Sequence, residues 1–216
     1  MKASTKLRQA ALDFRYLQHR GYNRDSSLSL VTDRYLLTRE EKFVLYRAIY
    51  PPQITTIRRS KLLRSSDLKG QSLLIDGYNV LITLESLLLQ RLLIQCDDGL
   101  IRDIASVHRN YKLSDKSTEA LNVIIKKIRD LKPKNALFFY DSPVSKSGEI
   151  AALTRKILKE NHVRGNAETT TQVDSAIIKN QGIAVTSDSV IIDRSEKIFD
   201  LAGYISREYK HEFLVI

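Results

Sequence analysis

Apolar positions three and four residues apart open the chain. Leu7, Ala10, Ala11, Phe14 and Leu17 fall on one face of a helix that Ser4 can cap and Gly21 can stop. Residues 26–35 carry Leu28, Val31 and Tyr35 at the same spacing and predict a second helix. Thr38-Arg39-Glu40-Glu41 has the form of a capping box. It opens a third helix through Phe43, Val44, Tyr46 and Arg47, which Pro51-Pro52 closes. Helix, glycine turn, helix is compatible with a helix-turn-helix unit, and equally with any small helical bundle. Residues 51–70 read as a basic linker. Arg58-Arg59-Ser60-Lys61 and Arg64-Ser65-Ser66 lie in it, Lys69-Gly70 ends it, and such a stretch can touch phosphates.

After Gly70 the period changes. Leu73-Leu74-Ile75 is a short apolar run, and so are residues 92–95, 136–140 and 183–185; these predict strands. Residues 80–89, 119–131, 147–160 and 173–179 predict helices, the second with Leu121, Ile124, Ile125 and Ile128 on one face. A last helix and a strand over 212–216 follow. Strands alternating with helices imply an α/β fold with a parallel sheet between helices, preceded by a small all-α domain. The expected divisions are a helical basic domain at 1–50, a linker at 51–70 and an α/β domain at 71–216.

Composition agrees with a packed interior, since hydrophobic residues make up 43% and charged residues 28%. No apolar run approaches the ~18 residues of a membrane span, and no secretory signal is evident, so a cytoplasmic protein is expected. The one cysteine, Cys96, can neither staple the chain nor build a zinc site. His19, His108, His162 and His211 form no ligand spacing, and no glycine-rich phosphate loop is present. The net charge of +10 is uneven along the chain: residues 1–70 hold 15 Lys and Arg against 6 Asp and Glu. A basic segment suggests a polyanion partner; the plainer alternative is solubility. Arg15-Tyr16, Tyr22 with Arg24, Arg34-Tyr35 and Tyr46-Arg47 interleave cations with rings. Such pairs stack on unpaired bases or simply fill a core.

Chemistry is concentrated at strand ends. In an open parallel sheet ligands gather beyond the carboxyl ends of the strands. Three of the expected strands end in an acid, at Asp76, Asp141 and Asp188. One aspartate there is usually a turn former or helix cap. Three at one edge repel unless a cation lies among them, and oxygen-only ligands suit Mg²⁺ or Mn²⁺.

The motif Leu74-Ile75-Asp76-Gly77-Tyr78-Asn79-Val80-Leu81 resembles the opening strand and turn of NYN domains, in the PIN-like nuclease group. Phe138-Phe139-Tyr140-Asp141, Gln172-Val173-Asp174-Ser175-Ala176 and Val185-Thr186-Ser187-Asp188-Ser189 resemble the later acidic elements, in family order. The resemblance covers about residues 71–200. It implies a PIN-like (Rossmann-like) parallel sheet and hydrolysis of phosphodiester bonds, usually in RNA. It also implies an Mg²⁺ or Mn²⁺ site at Asp76, Asp141, Asp174 and Asp188, and PIN-like domains often form dimers. Asn79 would orient Asp76 or touch a phosphate. Many relatives carry a further Asp two residues after the late one; here Val190 stands there, and Asp193 is the candidate substitute.

The whole chain also resembles a largely archaeal family known only as domains of unknown function. There Asp97-Asp98-Gly99 with Arg102-Asp103 would lie at another strand end and add ligands; the alternative is a plain turn. Lys146 and Ser147 open a helix whose N-terminus favours an anion, or form an ordinary cap. With Arg58, Arg59, Lys61 and Arg64 they are the expected phosphate contacts. Two rival functions remain: an RNA-binding protein without catalysis, and a small-molecule phosphohydrolase with a Rossmann-like acidic site.

Overall fold

A computed structural model describes residues 3–104 and 111–216; His108 lies outside them. Four helices come first, α1 (Thr5–His19), α2 (Arg24–Arg34), α3 (Arg39–Ala48) and α4 (Pro52–Ser60), then a 3-10 turn at Ser65–Leu68. There follow β1 (Ser72–Asp76), α5 (Gly77–Leu88), β2 (Leu93–Gln95), β3 (Ile101–Asp103), α6 (Asp115–Leu131), β4 (Asn135–Asp141) and α7 (Ser147–Glu160). The chain continues through β5 (Gly165–Thr170), α8 (Val173–Lys179), β6 (Ile183–Val185), α9 (Ser189–Arg194), β7 (Ile198–Phe199), α10 (Leu201–Glu208) and β8 (Phe213–Leu214).

These elements form two units. Met1–Ser60, Leu92–Ile104 and His211–Ile216 make the first, and Lys61–Arg91 with Ala105–Lys210 the second. The expected divisions at 50 and 70 therefore differ from the observed ones. The first unit recruits β2, β3 and β8 from what was read as the α/β domain.

In the first unit the caps work as their residue types dictate. Ser4 accepts the Leu7 N–H, Asn23 that of Ser26, and Thr38 with Glu41 closes a reciprocal box. The expected linker is α4. Pro51-Pro52 ends α3, but Pro52 also suits the first turn of a helix, whose N–H groups need no partner. A three-stranded sheet in the order β3-β2-β8 belongs to this unit. Ile94 and Leu214 from it share one core with Leu7, Phe14, Val31, Leu45 and Ile49. Burial of such side chains stabilises by roughly 1.5–3 kcal/mol each.

The second unit is built on a five-stranded sheet in the order β5-β4-β1-β6-β7, every pair parallel. The α/β class and the all-helical front of the chain are as expected. Leu73, Leu74 and Ile75 are fully buried, because a central strand is covered on both faces. Ser114 caps α6 one turn earlier than expected, and Ala120, Leu121, Ile124, Ile125 and Ile128 form its buried face. The strand β5 has no counterpart in the sequence reading. It is an edge strand of Gly165-Asn166-Ala167-Glu168-Thr169-Thr170 with only Ala167 buried, so it lacks apolar alternation.

Candidate active site

From β1 the second unit moves outward to β4 and β5, then returns to the other side of β1 with β6 and β7. The connections reverse direction between β1 and β6, and crevices open at such a switch point beyond the carboxyl ends. The neighbours β4, β1 and β6 lead into Asp141, Asp76 and, past Thr186-Ser187, Asp188. Register sets their depth. Asp76 pairs with Phe139, and Ile75 with Val185. Asp141 thus projects two residues, roughly 6–7 Å, further than Asp76, and Asp188 follows β6 across the Thr186-Ser187 turn. Asp76 forms the floor and the other two are half-exposed flanks.

Local bonding holds this floor. Asp76 is 9% exposed. Its Oδ1 accepts the Asn79 N–H at 3.2 Å, capping α5, and its Oδ2 accepts the Thr186 hydroxyl at 3.0 Å. Asn79 Oδ1 accepts the Ser187 N–H at 2.8 Å and the Ser187 hydroxyl at 3.0 Å, tying the β6–α9 turn to the β1–α5 turn. Thr186 Oγ1 in turn accepts the Asp188 N–H at 3.0 Å. Gly77 sits between because a Cβ there would stand 2.3 Å from the Tyr140 ring. The Tyr78 ring is 5.2 Å from that of Tyr140, and its buried hydroxyl has no hydrogen-bond partner among the described residues.

The four expected acids act on one another. Burial raises Asp76 to about 7, and the charges of Asp188 and Asp141 add to the rise. Asp174, exposed in the first turn of α8, is raised by desolvation and by Asp188, with Arg194 opposing. Burial and the Asp141 charge push Tyr78 up to about 12. Asp188 is the N-cap of α9 and accepts the Val190 and Ile191 N–H groups at 2.8 and 3.3 Å. Among the described residues no group of three or more His, Cys, Asp or Glu is close enough to hold a metal ion. The oxygen-only donor set nevertheless suits a hard cation that keeps most of its water and takes one or two carboxylates.

Other expected site residues are placed differently. Asp193 lies at the end of α9 away from Asp188, roughly 7 Å along the axis. There the Lys61 ammonium donates to the Ile192 and Asp193 carbonyls at 3.0 Å each. Lys61 is thus engaged in finishing α9. Asn79 is buried and engaged with Ser187, so it positions the turn. Ser147 is buried with its hydroxyl on the Ser142 carbonyl at 3.2 Å. Lys146 stays exposed, 3.4 Å from Glu149, and Arg64 is exposed.

The Asp98 set is a closed charge centre inside the first unit. Asp98 and Arg102 are 0% and 1% exposed and Arg58 3%. Arg102 donates to both Asp98 oxygens at 2.8 Å, and Arg58 to one at 2.9 Å. Burial alone would raise Asp98, but Arg102 and Arg58 outweigh it and hold the carboxyl below its ordinary range. Arg58 also lies 4.2 Å from the Tyr50 ring centroid. Asp98, Arg102 and buried Asp103 therefore add no ligands to the acidic edge, and Arg58 is not a phosphate contact.

Sequence reading missed Thr186 and Asp200. Asp200 follows β7, so a further strand of the same sheet ends in an acid; it caps α10 through the Gly203 N–H at 2.8 Å. The short Ile198-Phe199 run before it was the available signal.

Comparison with known proteins adds kinship. The family model described as "Domain of unknown function (DUF5616)" matches residues 65–204, and one described as "Protein of unknown function (DUF434)" matches residues 6–61. An uncharacterized protein of Methanocaldococcus jannaschii is 33% identical over 192 residues, 89% of this chain and 91% of that protein. No solved structure matches.

Proposed function

The chain belongs to the family described as a domain of unknown function (DUF5616), and for this member we propose a metal-dependent nuclease that hydrolyses phosphodiester bonds in RNA. One observation carries the reading: acids follow three adjacent parallel strands, on both sides of the point where the connections reverse. The resemblance of residues 71–200 to PIN-like nucleases, carried by the motifs that hold these acids, supports it.

Asp76, Asp141 and Asp188 would hold Mg²⁺ or Mn²⁺, with Asp174 acting through water. When bound, such an ion supplies positive charge that acidifies water and offsets charge gathering on a phosphate. Asp76, raised to about 7, exchanges its proton readily near neutrality, so it can serve either a cation or a proton. Thr186 and Asn79 keep the floor rigid. Lys146 remains accessible to a phosphate near the N-terminus of α7. The second unit itself carries 22 Lys and Arg against 16 Asp and Glu, net +6, which favours a polyanion. No described helix is long and apolar enough to cross a membrane. With a single buried thiol at Cys96, we assign the protein to the cytoplasm.

A second reading, an RNA-binding protein without catalysis, draws on the stagger of the acids and on Val190 where relatives carry one. Incubation of structured and unstructured RNA with the purified chain separates the two. The nuclease reading expects cleavage with Mn²⁺ and none with chelator. Asp76→Asn should then lower the rate by about 100-fold or more. Binding that persists in chelator without any cleavage in Mn²⁺ favours the second reading. Cleavage that survives both Asp76→Asn and chelator contradicts the metal centre.

A further inference from the structure

The first unit contains a cavity of about 460 Å³ that the acidic edge does not use. Its lining includes Arg15, Tyr16, His19, Tyr50, Thr55 and Arg59, all within this unit. That volume is in the range of sites for small organic ligands.

The lining residues differ in how far they are committed. Arg15 is fixed: Asp97 accepts from its Nη2 at 2.7 Å and its Nε at 3.1 Å, and the Ile216 carbonyl accepts at 2.5 Å. Tyr50 is crowded by cations, with Arg58 at 4.2 Å and Arg24 at 4.9 Å from its ring centroid. Tyr16 is the opposite case, a residue 62% exposed on the last turn of α1. A ring that buries little of itself contributes little to folding and presents a face for stacking. His19 and Arg59 are exposed on the rim and can donate to an anion. The Thr55 hydroxyl is cut off from solvent and has no hydrogen-bond partner among the described residues; its neighbour Thr56 returns its own hydroxyl to the Pro52 carbonyl at 2.9 Å.

We propose that this cavity takes one nucleotide unit of single-stranded RNA. The base stacks on Tyr16, and the phosphate meets Arg59 and His19. The pairing of an aromatic face with cations is what sequence-tolerant single-strand sites use. Asp97 in the wall argues against a densely acidic ligand and for one with a single phosphate beside a neutral ring. The choice of polymer rests on the RNA reading above; the cavity's fit to base and phosphate does not.

The test is fluorescence anisotropy of the full chain with 5′-labelled oligouridine RNA in chelator, where metal-dependent cleavage cannot intervene. Tyr16→Ala should weaken binding roughly tenfold and Tyr16→Phe little, since stacking needs the ring and not the hydroxyl. Arg59→Ala should weaken it several-fold and flatten its salt dependence. Circular dichroism melting curves unchanged from wild type establish that these surface variants are folded. Unlabelled uridine monophosphate, added as competitor, should displace the RNA only at far higher concentration than oligouridine itself. Wild-type affinity in Tyr16→Ala overturns the site. Displacement by the mononucleotide as effective as by the oligomer overturns the strand assignment. Binding in chelator reports on this cavity and cleavage in Mn²⁺ on the acidic edge, so failure of the one and failure of the other are separate outcomes.

Discussion

Two buried aspartates in this chain have opposite surroundings. Asp98 in the first unit is met by Arg102 and Arg58 on both oxygens and is held below its ordinary range. Asp76 in the second unit is met by neutral donors and by two further aspartates, and burial raises it to about 7. The first is a completed charge centre and belongs to the architecture. The second gains from a cation or a proton, and that is the condition expected of a functional acid. Sequence position could not tell them apart, because each precedes a glycine in a turn.

The contrast can be tested from its largest effect downward. Asp98→Ala removes the carboxylate that lies between two buried guanidinium groups, so it should cost about 3–5 kcal/mol. Urea unfolding measures this; a cost below about 1 kcal/mol would make the centre ordinary surface chemistry.

Asp76→Asn should act in the other direction. The folded protein favours the protonated acid, so the stability that Asp76 lends is complete below pH ~3.9 and is lost as pH rises to about 7. In chelator at pH 8 the variant should be more stable than wild type by roughly 2–4 kcal/mol, and near pH 4 the two should be close. Paired thermal melts across this range check it, and equal stability at pH 8 would break the comparison.

The smallest effect concerns Lys61, whose bonds to the Ile192 and Asp193 carbonyls finish α9. Lys61→Ala should cost about 1 kcal/mol by the same unfolding assay and leave RNA affinity almost unchanged. A steep loss of affinity would return Lys61 to the phosphate contacts.

Much of the fold was legible because its elements announce themselves locally. Caps at Ser4 and Thr38, the apolar face of α6, and runs such as Leu73-Leu74-Ile75 each fix an element within a few residues. The misses come from non-local physics. The strand β5 is polar because it lies at an edge, and α4 begins at a proline that reads as a stop. The segments holding β2, β3 and β8 are short, and nothing in their own residues says which core they join. That regrouping also redistributes charge. Residues 1–70 look strongly basic, yet the folded units carry 13 against 9 and 22 against 16 charged residues, so net +4 and +6. In the candidate site the strand-end acids were readable from their motifs. What Asn79, Lys61 and Arg58 bond to depends on residues dozens of positions away, and no spacing rule reports it.

The central claim is that Asp76, Asp141 and Asp188 serve one divalent cation. Titration of Mn²⁺ into the purified chain at pH 7.5, followed by the electron paramagnetic resonance signal of free Mn²⁺, tests it most directly. Stoichiometric uptake by wild type that falls sharply in each of Asp76→Asn, Asp141→Asn and Asp188→Asn is the expected result. No uptake by wild type, or uptake that none of the three substitutions changes, would contradict it.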